Sequence, residues 1–473
     1  MNVPDADLLS RFAAIVGTAN AVFPGDRDLS RYTDENRRIY RGRTPLVLRP
    51  GSTGEVARIL GLASATRTAI VPQGGHTGHV AGAVPDESGS QIVVSLERMT
   101  RARDIDLAGN TMTVEAGMVL QRAQEVAAEH GRMFPLSLGS QGSCQIGGNI
   151  STNAGGTAVL AYGNMRDLVL GLEVVLPSGE VWDGLRKLRK DNTGYALKQL
   201  FIGAEGTLGI VTAAVLRLFA MPKGREVAWA GLASPAHALD LLNLALDAAG
   251  PSLTAFELMG RTPLDFTLAA VADARDPFDR RHPWHVLAEF SSGRSEADAR
   301  QLAETVFETA LEKGIVSDAV LAGSLARARA LWKLREDMPP AQAPQGASIK
   351  HDIAVPVHRV PEFLEKADAI IAAELPGARV CAFGHMGDGN IHYNISQPAG
   401  GDAAAFLARR LDVNDKVHAL VVALNGSISA EHGIGRLKRD MLAAVKSPLE
   451  LAMMRSLKAA LDPKGIMNPG KVL

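Results

Sequence analysis

Ser137-Leu138-Gly139-Ser140-Gln141-Gly142-Ser143-Cys144-Gln145-Ile146-Gly147-Gly148-Asn149-Ile150-Ser151-Thr152-Asn153-Ala154-Gly155-Gly156 is the stretch on which the reading of this chain turns. It is too rich in glycine for a regular helix and well suited to backbone lying close to a ligand. Its hydroxyls and amides add side-chain hydrogen-bonding groups. A second such segment, Pro72-Gln73-Gly74-Gly75-His76-Thr77-Gly78, follows the strand-like run Ala69-Ile70-Val71. Its paired glycines can expose successive N–H groups as a nest for a pyrophosphate, or simply make a tight turn. The third is Gly203-Ala204-Glu205-Gly206-Thr207-Leu208-Gly209-Ile210-Val211-Thr212. Three such segments in the first 220 residues argue for one ligand site rather than three unrelated turns. No GxxxxGK[ST] loop occurs, and no GxGxxG fingerprint opens a βαβ unit, so neither a P-loop nor a Rossmann site is supported.

With 473 residues the chain has room for two or three domains. An apolar fraction of 46% fits a globular protein. Lys+Arg 50 against Asp+Glu 51 leaves a net charge of −1, which gives no bulk electrostatic reason to expect nucleic acid. Two cysteines, Cys144 and Cys381, cannot make a disulfide framework and suit a reducing compartment. The amino-terminal residues lack a signal-peptide pattern. No apolar run approaches the ~20 residues of a membrane span. The expectation is a cytoplasmic protein, with peripheral membrane contact left open.

The texture changes along the chain. Ser52-Thr53-Gly54-Glu55 before Val56 reads as a capped helix start. Val114-Glu115-Ala116-Gly117 followed by Val119 to His130 reads as strand, turn, helix. Longer helical patterns follow from about residue 221, separated by strand-like runs such as Val286-Leu287-Ala288-Glu289-Phe290. They read as an α+β domain. The tail ends in Asp462-Pro463-Lys464-Gly465-Ile466-Met467-Asn468-Pro469-Gly470, punctuation that marks a fixed turn.

Two segments far apart offer metal-ligating chemistry. In Phe383-Gly384-His385-Met386-Gly387-Asp388-Gly389-Asn390-Ile391-His392-Tyr393-Asn394, Asp388-Gly389 is a preferred two-residue hairpin turn. That turn sets His385 directly opposite His392, with Cβ atoms ~5 Å apart, and puts Asn394 on the same face. Glu431, in Ser429-Ala430-Glu431-His432-Gly433-Ile434-Gly435, is the candidate third ligand. Two nitrogens and an oxygen suit Zn²⁺ with an open position, and Mn²⁺ or Co²⁺ could use the same set. The alternative is two unrelated histidines. His432 diverges from Glu431 in extended backbone and is available as a general base; otherwise it starts the helix before Arg436. Arg335 and Lys350 are cations of the kind that hold a carboxylate, the arginine bidentately and the lysine as a point charge. Arg335 reads equally well as an ordinary helix-face residue.

These segments resemble the FAD domain of the vanillyl-alcohol oxidase/p-cresol methylhydroxylase superfamily. The carboxyl-terminal half resembles the FAD-linked oxidase domain of its D-2-hydroxyacid dehydrogenase branch. The matching features run from about Arg43 to Leu473, in the family's order. The resemblance implies an α+β protein: a two-subdomain FAD domain over residues 1–220, a substrate domain over 221–424, and a segment over 425–473 that returns to the flavin site. It implies that the first segment cradles the FAD pyrophosphate and that the other two run along the ribityl and isoalloxazine parts. Asn468 joins the cofactor residues, and His432 stands at the position of the family's base. Arg335 and Lys350 match substrate-binding positions of D-2-hydroxyglutarate dehydrogenases, and Asn394 is grouped with them. The implied reaction takes a D-2-hydroxy acid, D-2-hydroxyglutarate first and D-lactate next, to its 2-oxo acid. Electrons then pass to a quinone, an electron-transfer flavoprotein or a similar acceptor. A flavin oxidase and a glycolate-oxidase-like subunit of a larger complex are the competing readings, and a homodimer is compatible with all three. Two departures stand out. His76 replaces the asparagine common at that position, which raises covalent FAD attachment beside the expected non-covalent binding. Pro339 stands where related dehydrogenases can carry a hydroxyl residue.

Overall fold

The computed structural model describes residues 3–473. They divide into two units. Unit one takes the residues up to Gly155, Gly163–Ala220 and Glu431–Leu473. Unit two takes Gly156–Tyr162 and Met221–Ala430. Both mix helices with sheets, an α+β architecture.

Unit one carries two principal sheets. In the first, Ala69–Gln73 and Val47–Leu48 flank Gln91–Ser95 in parallel, and Ala21–Val22 adds an antiparallel edge. Ala69, Ile70 and Val71 are all buried, the continuous apolar run expected of a parallel strand covered on both faces. Helix Thr53–Thr66 starts where the Ser52 hydroxyl accepts the Glu55 N–H at 3.3 Å, as the Ser-Thr-Gly-Glu pattern predicts. Its buried Val56, Ile59, Leu60 and Ala63 recur at helical spacing. The second sheet is antiparallel, in the order Ala102–Asp106, Thr111–Glu115, Ile210–Arg217, Val169–Val175 and Val181–Gly184.

This arrangement positions the glycine segments. Gly74 to Gly78 leave the carboxyl end of Ala69–Gln73, and Gly203 to Gly209 lead into Ile210–Arg217. Gly147 and Gly148 lie in the short helix Ile146–Ser151. The chain's end is sewn to the first sheet. Ile70 donates its N–H to the Ile466 carbonyl and accepts the Asn468 N–H, both at 2.8 Å.

Unit two is built on one eight-stranded antiparallel sheet. Strand Leu253–Gly260 is buried along its whole length. Helix Pro235–Ala249 and the short helix Val159–Tyr162 both pack on it. Trp229, Phe256, Phe290, Phe363 and Tyr393 are fully buried and fill the core. Among the described residues no helix is long and apolar enough to cross a membrane.

Candidate active site

Unit one carries an open cleft with about 890 Å³ of empty space, part of it continuous with solvent. All three glycine segments line it. Pro72 to Gly78 contribute from the first; Gly147, Gly148, Ser151 and Thr152 from the second; Glu205, Gly206, Gly209, Ile210 and Val211 from the third. A Cβ on Gly78 or Gly148 would meet nothing within 4 Å, so these two glycines leave open space that a side chain would take from a ligand. That is the fit required of an FAD cradle. Other glycines serve the protein itself. A Cβ on Gly75 would stand 2.1 Å from the Ser143 carbonyl oxygen, and one on Gly206 2.4 Å from Pro72 Cγ, so these residues let the loops pack against one another.

Several expected cofactor residues lie outside the cavity lining: Leu138, Gly139, Ser140, Gly142, Ser143, Asn153, Gly155, Gly156 and Asn468. The reason is local structure. The Ser140 carbonyl accepts the N–H groups of Ser143 and Cys144 at 2.9 and 2.8 Å, so this part of the segment closes a turn. Asn153, at φ 50°, accepts the Arg166 N–H at 2.9 Å. Gly156 belongs to unit two. Asn468 works as a clamp: its Nδ2 donates to the carbonyls of Gly82 at 2.9 Å and Glu205 at 2.8 Å, joining two cavity loops.

Val80, Gly82, Ala83, Leu96, Cys144, Gln145 and Asn149 also line the cavity and were not singled out from the sequence. Cys144, Gln145 and Asn149 sit inside the glycine-rich stretch, and the side-chain amides of Gln145 and Asn149 were the missed signal. The Gln145 Oε1 is buried and makes no hydrogen bond among the described residues. The His76 ring is engaged at both nitrogens, Nε2 with the Asp34 carbonyl at 2.6 Å and Nδ1 with Gln73 Nε2 at 2.8 Å.

His432 lines the same cavity. Its ring meets the ring of His79 edge to face, with centroids 4.9 Å apart. The loop that follows it is anchored by Glu205, whose carboxylate accepts the N–H groups of Ile434 and Gly435, each at 2.7 Å. Burial raises the Glu205 pKa, and these two donors and Lys438 act against that rise. Gly435 has φ 52°, and a Cβ there would stand 2.3 Å from the Val80 carbonyl oxygen, so the loop can lie this close only as glycine.

In unit two the hairpin differs from the two-residue turn predicted by Asp388-Gly389. His385 pairs with Asn390, Gly384 with Ile391, and Phe383 with His392. The turn therefore has four residues, Met386 to Gly389. The Asp388 N–H donates to the His385 carbonyl at 3.2 Å, and the Asp388 carboxylate accepts the Asn390 N–H at 3.0 Å. Gly389 has φ 84°, and its Cα lies so near the Val355 carbonyl that a Cβ would approach it to 2.1 Å. His385 and His392 are consequently diagonal neighbours on one face rather than direct partners. Their rings still meet edge to face, with centroids 5.4 Å apart. Asn394 shares that face and is buried.

A carboxylate stands near the Nδ1 of each histidine, within hydrogen-bond distance only at His385. Glu257 Oε1 lies 2.7 Å from His385 Nδ1, and Asp352 Oδ1 lies 3.7 Å from His392 Nδ1. Both carboxylates are almost fully buried. Burial alone would raise the Glu257 pKa, but His385 and Arg335 outweigh it and hold the group at about 2. Arg335, expected to meet a substrate carboxylate, is itself buried and spends Nε and Nη2 on Glu257 Oε2 at 2.9 and 2.7 Å. Its Nη1 takes no part in that pair. Lys350 occupies the step between Ser348–Ile349 and Asp352–Ala354. Since Ile349 pairs with Ile395 and Asp352 with His392, that step faces Tyr393 and Asn394. Glu431, half-buried, opens the return to unit one. It directly follows Ala430, whose N–H donates to the Asp352 carbonyl at 3.3 Å.

Comparison with known proteins gives a consistent picture. Residues 221–472 match the model of the FAD linked oxidases, C-terminal domain, and residues 44–184 match that of the FAD binding domain. A D-2-hydroxyglutarate dehydrogenase of Xanthomonas citri pv. viticola is 39% identical over 445 residues, covering 94% of this chain and 92% of the relative. A D-2-hydroxyglutarate–pyruvate transhydrogenase of Saccharomyces cerevisiae is 36% identical, covering 100% and 95%. Among solved structures, p-cresol methylhydroxylase with substrate bound superposes with a TM-score of 0.77 at 14% identity, covering 100% of this chain and 98% of that one; this likeness speaks for the fold alone.

Proposed function

Since this chain belongs to the FAD-linked oxidase family, we propose that it is an FAD-dependent dehydrogenase oxidising a D-2-hydroxy acid to its 2-oxo acid. The observation that carries the proposal is that His432 lines the very cavity formed by the three glycine segments. A base and the proposed FAD cradle thus belong to one unit. In this reading residues 1–220 form the FAD domain, 221–424 the substrate domain, and 425–473 the segment returning to the flavin site.

Bound FAD supplies a two-electron acceptor for hydride, and a bound divalent cation, Zn²⁺ by choice of ligands, supplies Lewis acidity at the substrate hydroxyl. His385, His392 and Glu431 are the residues we assign to the cation. The buried carboxylate of Glu257, hydrogen-bonded at His385 Nδ1, supports this for His385, because it leaves Nε2 as the ligand atom. His432 removes the hydroxyl proton, a role suited to imidazole near neutral pH. Arg335 through Nη1, Lys350 and Asn394 hold the substrate's carboxylate and fix the face it presents. The engaged ring of His76 supports non-covalent FAD. D-2-hydroxyglutarate is the first substrate by kinship. D-lactate is second, favoured by Pro339, which offers no hydroxyl to a distal carboxylate. Electrons leave to a quinone or an electron-transfer flavoprotein. Cys144 and Cys381 are both free and buried, which agrees with a reducing, cytoplasmic setting.

Dye-coupled turnover with D- and L-forms of 2-hydroxyglutarate, lactate and malate tests this. Turnover confined to D-acids is expected. Turnover of L-acids alone contradicts it, and stoichiometric peroxide under air would favour the oxidase reading.

A further inference from the structure

We infer that Glu257 is a positioning residue that sets the orientation of a metal ligand and a substrate-binding cation at once; the inference rests on the assignment of His385 to the metal and Arg335 to substrate made above. Glu257 sits in mid-strand between the buried Phe256 and Leu258, where the pattern calls for apolar residues, and it is itself completely buried. It pairs directly across the sheet with His385. Its two oxygens are divided between two partners. Oε1 takes the Nδ1 of His385 at 2.7 Å, and Oε2 takes Nε and Nη2 of Arg335 at 2.9 and 2.7 Å. Nothing in the core of a sheet requires such an arrangement, because a buried ion pair stabilises no better than well-packed apolar side chains.

What the arrangement does require is geometry. A carboxylate on Nδ1 fixes the proton there, so the lone pair stays on Nε2 and the ring cannot turn. The guanidinium, held through two of its nitrogens, lies over the Phe383 ring at 4.8 Å, and Phe383 in turn meets the His392 ring at 5.2 Å. Arg335 is thereby locked with Nη1 as the nitrogen left for a carboxylate. One side chain therefore aligns His385 and Arg335 against the same rigid strand.

The test is Zn²⁺ affinity, by chelator competition, together with KM and kcat for the best D-acid, in the full-length protein and in Glu257→Gln. FAD content and far-UV circular dichroism serve as checks on folding. The expected result is a 10- to 100-fold loss of Zn²⁺ affinity and a raised KM, with FAD content unchanged. If Glu257→Gln fails to fold because Arg335 is left buried without its partner, the pair Glu257→Gln with Arg335→Gln removes that charge and must show the same loss of affinity. Wild-type Zn²⁺ affinity in whichever variant folds overturns the inference and leaves the metal reading standing. A wild-type chain that takes up no Zn²⁺ overturns the metal reading and the inference with it.

Discussion

The carboxylate of Glu205 accepts the backbone N–H of Gly435 at 2.7 Å, a bond between residues 230 positions apart. It joins the third glycine segment to the loop that carries His432. Asn468 holds the same assembly from a third direction by donating to the Glu205 carbonyl. The cavity wall and the proposed base are therefore parts of one hydrogen-bonded structure. A base must be held within a fraction of an ångström of its proton to be effective, and this clamp supplies such restraint.

His432→Ala should leave the cavity's loops intact, because the anchor lies on the N–H groups of Ile434 and Gly435 and not on the imidazole. FAD content should stay at the wild-type level. Anaerobic reduction of the flavin by a D-2-hydroxy acid should slow about 10²- to 10⁴-fold, the usual weight of a general base. Stopped-flow bleaching measures it, and an unchanged rate would remove His432 from the chemistry.

Two glycines should fail in opposite ways. Gly148→Val directs its side chain into open cavity, so the protein should fold and lose FAD. Gly75→Ala sets a methyl 2.1 Å from the Ser143 carbonyl oxygen, so it should lower the melting temperature of the flavin-free protein. Flavin absorbance and thermal unfolding, read on both variants, separate a cradle glycine from a packing glycine.

FAD should be released by acid precipitation. Both nitrogens of His76 are engaged, one with Gln73 in its own loop and one with the Asp34 carbonyl, so the ring offers no ready atom for a flavin bond. All the yellow colour should appear in the supernatant. Flavin retained in the pellet would show that His76, or another side chain, carries it covalently.

Stability should fall with acid through His285. Burial depresses its pKa from 6.5 to about 4, Asp276 opposing and Arg261 adding to the effect. The neutral ring accepts the Trp229 indole N–H on Nδ1 at 3.1 Å, which a proton there would displace. A folded-state pKa below the unfolded one means that the unfolded chain binds the extra proton between pH 6.5 and 4. The contribution is complete above pH 6.5 and is lost as pH falls toward 4. The loss is on the order of 3 kcal/mol. Urea unfolding at pH 7.5 and pH 5 should show a markedly smaller difference in His285→Asn than in the wild type.

The glycine segments were legible because their chemistry is local: Pro72 to Gly78 and Gly203 to Gly209 declare themselves by residue type, and Pro72 to Gly78, Glu205, Gly206 and Gly209 do line one cavity. The hairpin was legible only in part. Asp388-Gly389 announces a turn, but its length is set from outside, since strands Leu253–Gly260 and Asp352–Ala354 pair on either side and fix His385 opposite Asn390. Glu257 was not legible at all, because its partners lie 78 and 128 residues away. Only its being an acid within an apolar strand gave a sign. Arg335 reads as a functional-looking cation, yet its partner is this same buried carboxylate.

The most direct measurement is anaerobic bleaching of the purified protein's flavin by D-2-hydroxyglutarate, D-lactate and their L-enantiomers, with and without prior chelation. The account predicts bleaching by a D-acid, none by its L-form, and loss of bleaching after chelation that Zn²⁺ restores in the wild type but not in His385→Ala. Bleaching that is indifferent to configuration and to the chelator would contradict it.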